Sequence, residues 1–115
     1  MTLDPDAIDR LLEITGGDRS FVDELIDTFL EDAERQIAAL QAASENVDIA
    51  GVVRPAHSLK SNSVNVGATV LAEQCRSLEA DARAGEVPDL GTRVAAVAAE
   101  FAAVRGSLLA ERVAR

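Results

Sequence analysis

The stretch AHSLKSNS, residues 56–63, holds the chain's one histidine, His57, and its one lysine, Lys60. Every other cation in the chain is an arginine. A free imidazole ionises at about pH 6.5, so near neutrality much of it is an uncharged nucleophile. If the group it attacks is a phosphoryl, the negative charge on the phosphoryl oxygens has to be offset. An ammonium one helical turn away can do that without competing for the ring nitrogen. Ser61, next to Lys60, is small and leaves room beside the ring. Lys60 without the histidine would read as an ordinary surface lysine.

Other site chemistries fail on inventory. One histidine and one cysteine, Cys75, stand 18 residues apart and make a poor metal site. There is no P-loop and no GxGxxG, hence no nucleotide cradle. There is no GxSxG elbow, and no spacing suggests a cysteine–histidine pair. A nucleophile without machinery to load it from ATP suits a carrier better than an enzyme.

These residues must be positioned by helices. Leu3 to Ile14 reads as a short amphipathic helix, with Asp4 as cap, Pro5 in the first turn, and Leu11, Leu12 and Ile14 as its apolar side. Gly16-Gly17 stops it. Asp18 caps a second helix, whose residues Phe21, Val22, Leu25, Ile26, Phe29, Leu30, Ala33, Ile37 and Leu40 recur at steps of three and four. It runs to about Ala43, and Ser44-Glu45-Asn46 breaks it. The third helix puts Ile49, Val52, Val53, Ala56, Leu59 and Ser63 on one side. Pro55 inside it predicts a bend or a local restart, because proline has no N–H for the Gly51 carbonyl. Asn65 to Gly67 is a short turn. A fourth helix spans Ala68 to about Ala84, with Val70, Leu71, Cys75 and Leu78 inward. After the loop Gly85 to Asp89, a fifth runs from Leu90 to near Val113, inward through Val94, Val97, Phe101, Val104 and Leu108. Short loops between long amphipathic helices predict an all-α fold: an antiparallel four-helix bundle with an additional short N-terminal helix packed across an end or side. Residues 1–115 read as a single domain.

At 100° per residue, the apolar side of the third helix centres near Val52, Val53, Ala56 and Ser63. His57 falls roughly 110° from that centre, at the edge of the buried stripe. The ring is expected to be held at its base and open at its tip. Ser61 lies about 40° from it and Val64 about 20°. Cys75 falls on the inward stripe of its own helix and reads as core packing.

Composition sets the class. Of the 115 residues, 21 are alanine and three are phenylalanine, the only aromatics, a mixture that favours helix over sheet. The net charge of −9 argues against a nucleic-acid partner, which would require a basic face. The charge is uneven. Residues 1–50 carry 13 acidic and three basic side chains, whereas residues 51–115 carry seven and eight. The histidine therefore lies in the half where an anionic partner is repelled less. No apolar run is long enough to span a membrane, the amino end is acidic with no secretory signal, and a single cysteine fits a reducing compartment. A cytoplasmic protein is expected.

The stretch AHSLKSNSVNVGATVLAEQCRSLE resembles the signature of histidine-containing phosphotransfer (HPt) domains: Ala-His-x-Leu-Lys followed by two small residues, then Leu/Val-Gly-Ala, then Leu-Glu. ITGGDRSFVDELIDTFLEDAERQIAAL is similar to the family's second helix with its Gly-Gly-Asp entry, and the resemblance covers about residues 8–110. Several spaced elements agree, which makes it specific; HxLK alone would be weak. The resemblance implies that His57 is phosphorylated on Nε2. The phosphoryl group would move to and from an aspartate of a response-regulator receiver domain, with a hybrid sensor kinase as the other class of partner. It implies that Lys60 is the family's lysine and Gly67 its turn glycine. Many members have glycine where Ser61 stands. Any Mg²⁺ would belong to the receiver, and no cofactor or metal of the chain's own is implied.

Twenty-two residues after the histidine, where some members have a glutamine that bonds the imidazole, this chain has Glu79. Its carboxylate can accept from Nδ1–H and so leave Nε2 free. Alternatively it pairs with Arg76 or Arg83 on its own helix, and the sequence leaves both readings open. Docking is expected on the exposed edges of the second and third helices, with Ser58, Ser61 and Val64 as contacts and Arg54 as a steering charge. The interface should be modest, since a relay needs turnover. With no further apolar stripe, a monomer is expected. The rival reading is a bundle that docks a receiver or another signalling protein without phosphotransfer. The dimerisation helices of a sensor kinase fit less well, because Ser58 follows the histidine and no ATP-binding domain follows. A hydrolase would need acid–base groups that are absent.

Overall fold

The structure, a computed structural model, describes residues 2–114, with side chains to residue 112. Five helices follow in order: α1 Ala7–Ile14, α2 Arg19–Glu45, α3 Ala50–Asn65, α4 Thr69–Arg83 and α5 Leu90–Ala114. No strand occurs among the described residues. Helix α2 packs against α3 and α5, α4 closes the ring between them, and α1 lies on α2. Pairs across the α2–α5 seam run in opposite senses, Asp27 with Arg112 and Glu34 with Arg105, so the helices are antiparallel. The molecule extends 44 × 22 × 20 Å. Its long axis is about that of the 27-residue α2, at about 1.5 Å per residue.

One core runs along the bundle axis. On α2, Val22, Ile26, Phe29, Leu30, Ala33, Ile37 and Leu40 are buried in it, whereas Leu25, expected among them, is only half-buried; all five inward positions expected of α5 are buried. Phe29 and Phe101 meet across the α2–α5 seam, ring centroids 6.3 Å apart and tilted by 56°. Asp18 caps α2, its Oδ1 accepting from the Phe21 N–H at 3.0 Å. Helix α2 runs through Ser44 and Glu45, and Asn46 is its C-cap. Asp48 Oδ1 accepts from the Gly51 N–H at 3.0 Å, a cap for α3 that the sequence reading did not single out.

Four expectations are corrected. Helix α1 begins at Ala7 rather than Leu3, because Asp4 is engaged elsewhere. Its N–H donates to the Gly67 carbonyl at 2.7 Å, and its carboxylate takes the Asp6 N–H and the Arg10 guanidinium. Ile14 is exposed; the buried side of α1 is Ala7 and Ile8. Phe21 and Val70 are also substantially exposed, each in the first turn of its helix, where one face is not yet covered. Pro55 causes no restart. It sits buried inside an unbroken α3, and the one carbonyl it leaves without an i+4 donor, that of Gly51, lies in the helix's first turn.

The α3–α4 turn fixes how the two site-bearing helices meet. Gly67 has φ +75°, its N–H donates to the Val64 carbonyl, and the Ala68 N–H donates to the Ser63 carbonyl. A Cβ at Gly67 would lie 2.3 Å from the Ala7 Cβ, so both the backbone conformation and the approach of α1 require glycine.

Candidate functional site

The α3–α4 seam gathers His57, Lys60, Glu79 and Arg83. His57 stands in the middle of α3 with 53% of its side chain exposed, at the edge of the stripe formed by Val52, Ala56, Leu59 and Ser63, each fully buried. Glu79 sits on α4, flanked in sequence by buried Leu78 and one turn from buried Cys75, and is itself buried. A carboxylate in that place has to be ionised with partners or protonated. It has partners on both oxygens. Lys60 Nζ donates to Oε1 at 2.7 Å. His57 Nδ1 lies 2.9 Å from Oε2, and Arg83 reaches the same oxygen through Nε at 3.0 Å and Nη2 at 2.8 Å.

The hydrogen bond from Lys60 pulls the Glu79 carboxyl down to about 2, against the opposing effect of burial and with further help from Arg83 and His57. Glu79 is therefore an acceptor only at neutral pH, and the proton between it and His57 belongs on Nδ1. An uncharged His57 then has its lone pair on Nε2, at the far side of the ring. Lys60 commits one of its three N–H bonds to Glu79, which leaves two for another anion.

The two sequence-level readings of Glu79 were not exclusive. It bonds the imidazole and pairs with Arg83 at once, both through Oε2, while Arg76 pairs with Glu73 instead. Asn62 and Asp32, to which the sequence assigns no role at the site, also matter here. Asn62 Nδ2 donates to Asp32 Oδ2 at 2.9 Å and ties α3 to α2 beside His57. A pair 30 residues apart in sequence leaves no periodic signal.

The surface around the ring is grooved on both sides. Between α2 and α3 a cavity of about 560 Å³ is lined by His57, Ser58 and Ser61 with Leu25, Phe29 and Asp32. Between α3, α4 and the N-terminal segment another, of about 650 Å³, is lined by Lys60, Ser61, Val64 and Gly67 with Arg10 and Arg76. Ser58 is half-buried, whereas Ser61 and Val64 are exposed. Val64 therefore lies on the α4 side of His57, apart from the α2 edge. Arg54 is exposed and lines neither cavity. A third cavity, of about 530 Å³ between α4 and α5, contains none of these residues. Cys75 is buried, and burial pushes its thiol up to about 12, which leaves it inert as a nucleophile. Among the described residues, no cluster of three or more His, Cys, Asp or Glu side chains is placed to hold a metal. None of the described helices is long and apolar enough to cross a membrane.

Comparison with known proteins agrees with this geometry. Residues 24–107 match the family model described as Hpt domain. The crystal structure of histidine-containing phosphotransfer protein B (HptB) from Pseudomonas aeruginosa PAO1 is similar over 99% of this chain and 96% of that one, with a TM-score of 0.90 and 33% sequence identity. No curated protein sequence matches the chain. A bundle of this topology, with the family match spanning the helices that build the site, leads to one conclusion: the chain belongs to the Hpt domain family, the phosphocarriers of phosphorelays.

Proposed function

We propose that His57 is the phosphoacceptor and that it exchanges its phosphoryl group with the aspartate of a response-regulator receiver domain. The single observation that carries this reading is the bond between His57 Nδ1 and the buried, ionised Glu79, which leaves the Nε2 lone pair free on a half-exposed ring. In the forward step the Nε2 lone pair forms the N–P bond. The P–O bond of the receiver's acyl phosphate breaks, and its electron pair stays on the aspartate carboxylate. The ring keeps its proton on Nδ1 and becomes cationic, and Glu79 stabilises that charge. Lys60 turns its free N–H bonds to the phosphoryl oxygens. The reverse step returns the group to a receiver.

Docking uses the grooved face around His57. Ser58 and Ser61 are small enough to let the receiver close on the ring, Val64 gives an apolar contact, and Arg54, exposed one turn before His57 on α3, supplies a steering positive charge. Residues 1–115 act as one cytoplasmic, monomeric unit, with a hybrid sensor kinase as the other source or recipient of phosphate. The test is incubation with a phosphorylated receiver, comparing the wild type with His57→Gln. An acid-labile, base-stable label on the wild type alone is the expected outcome. Equal labelling of both proteins removes His57 from the chemistry, and no label on either leaves a docking module.

A further inference from the structure

We infer that Arg83 is a positioning residue for the phosphoacceptor: by holding Glu79 Oε2 from the solvent side, it keeps the carboxylate compensated so that Lys60 and the imidazole are free to serve the incoming phosphoryl group. The inference rests on the reading of His57 as phosphoacceptor. An i,i+4 arginine–glutamate pair between exposed groups is of little consequence. This one differs in where it ends. The Arg83 side chain is 59% exposed, but the oxygen it holds belongs to a carboxylate only 8% exposed. That same oxygen accepts from His57 Nδ1, and its twin accepts from Lys60.

One buried negative charge thus has two full cations and one imidazole on it. When a phosphoryl group arrives, Lys60 divides its attraction between Glu79 and the phosphate. Without Arg83, the carboxylate would then draw on the only other group in reach, the ring. It would favour the ring's protonated form, which has no lone pair to give. With two donors from Arg83 on Oε2, the carboxylate still fixes the Nδ1 proton but draws less charge from the ring.

The other charged groups near the ring do not substitute for it. From α2, Asp32 and Arg35 line the groove beside His57 but bond one another, and Asp32 also holds Asn62. Leu11 is the one α1 residue lining that groove. On α3 itself, Lys60 is bonded to Glu79, and Arg54 is exposed one turn earlier. From α4, Glu79 and Arg83 are the groups already in the network.

The test compares wild type, Arg83→Ala, Arg83→Gln and Arg83→Lys over pH 6 to 9. Two readouts are taken: transfer from a phosphorylated receiver, and the ¹⁵N chemical shifts of the ring. Since His57 is the chain's one histidine, its ring signals need no assignment. In Arg83→Ala and Arg83→Gln the transfer rate at saturating receiver should fall about three- to tenfold at the acid end and less than about twofold at the alkaline end. The ring's titration should move to higher pH, and Arg83→Lys should recover most of both effects. A loss equal at all pH values, or ring shifts that titrate as in the wild type, overturns the inference. The ring titration needs no phosphate, so it reports on Arg83 even if His57 is not the acceptor; the His57→Gln labelling decides that separately.

Discussion

The bundle's α2–α5 and α3–α4 seams both carry charged side chains across helices, yet they do so in opposite ways. On the α2–α5 seam, Arg105 approaches Glu34 at 3.8 Å, and Arg112 lies 3.2 Å from Asp27 and 3.9 Å from Asp23, all with substantially exposed side chains except the half-buried Asp23. Beneath them the seam is apolar, with Phe29 on Phe101 and Val97, Val104 and Leu108 sealed in. On the α3–α4 seam the links are 2.7–2.9 Å and converge on one buried carboxylate. Water-screened pairs over an apolar seam serve solubility and little else. Burying a carboxylate and supplying every donor it needs is costly for stability. That expense makes sense where the carboxylate has work to do on a neighbouring ring. Function is concentrated where the bundle departs from the simplest packing.

The sharpest way to break this contrast is to damage the apolar seam. Phe101→Ala removes a buried ring and its partner contact with Phe29, and should destabilise the fold by about 3–5 kcal/mol. Urea unfolding should show a lower midpoint with an unchanged slope. Transfer per folded molecule should stay near the wild-type value, because the His57–Glu79 bond lies on the other seam. A transfer rate that falls with stability would mean that the two seams are not separable.

The second variant acts on the polar seam. Glu79→Ala should slow phosphotransfer by about 10- to 100-fold. Its stability cost is smaller, about 1–2 kcal/mol, because Lys60 and Arg83 can turn their charges to water. An unchanged transfer rate would end the orienting role of Glu79. Acid unfolding sharpens the point. The Glu79 carboxyl lies near 2 in the folded protein, below its ordinary 4.5, so folding favours the ionised form. Its contribution is whole above about pH 4.5 and is lost as the pH falls toward 2. Wild type should therefore lose stability relative to Glu79→Gln across that interval, read as urea midpoints at successive pH values.

These seams differ in how far the sequence discloses them. The apolar seam is written as a repeat: the three- and four-residue steps of α2 and the run Val94, Val97, Phe101, Val104, Leu108 place the core without any structure. His57, Lys60 and the small residues after them sit within one turn or two of a helix, so their shared face is also legible. Glu79 was visible as a candidate but not as a hub, because helix periodicity relates a residue only to its own helix. Whether it faced the ring or Arg83 depended on the rotation of α4 about its axis, which the Gly67 turn and the packing of Leu71, Cys75 and Leu78 decide. The same limit explains α1. Asp4 looks like a cap in sequence and is instead drawn to Gly67, 63 positions away. Ile14, Phe21 and Val70 look apolar and inward, but at the ends of helices the covering face is supplied by other elements or not at all.

The smallest expected effect is on the exposed charges of the apolar seam. Arg105 and Glu34 are both more than half exposed, and their closest approach is 3.8 Å, beyond hydrogen-bond range. At that separation in water their attraction is screened and is offset by the entropy of holding two long side chains in place. Arg105→Ala should thus change stability by less than about 0.5 kcal/mol and leave transfer untouched. A double-mutant cycle with Glu34→Ala should give a coupling close to zero. If that cycle instead returned 1 kcal/mol or more, the α2–α5 charges would be structural. The two seams would then differ only in how deep their ion pairs lie, and depth alone would no longer mark the α3–α4 seam as the one that carries the chemistry.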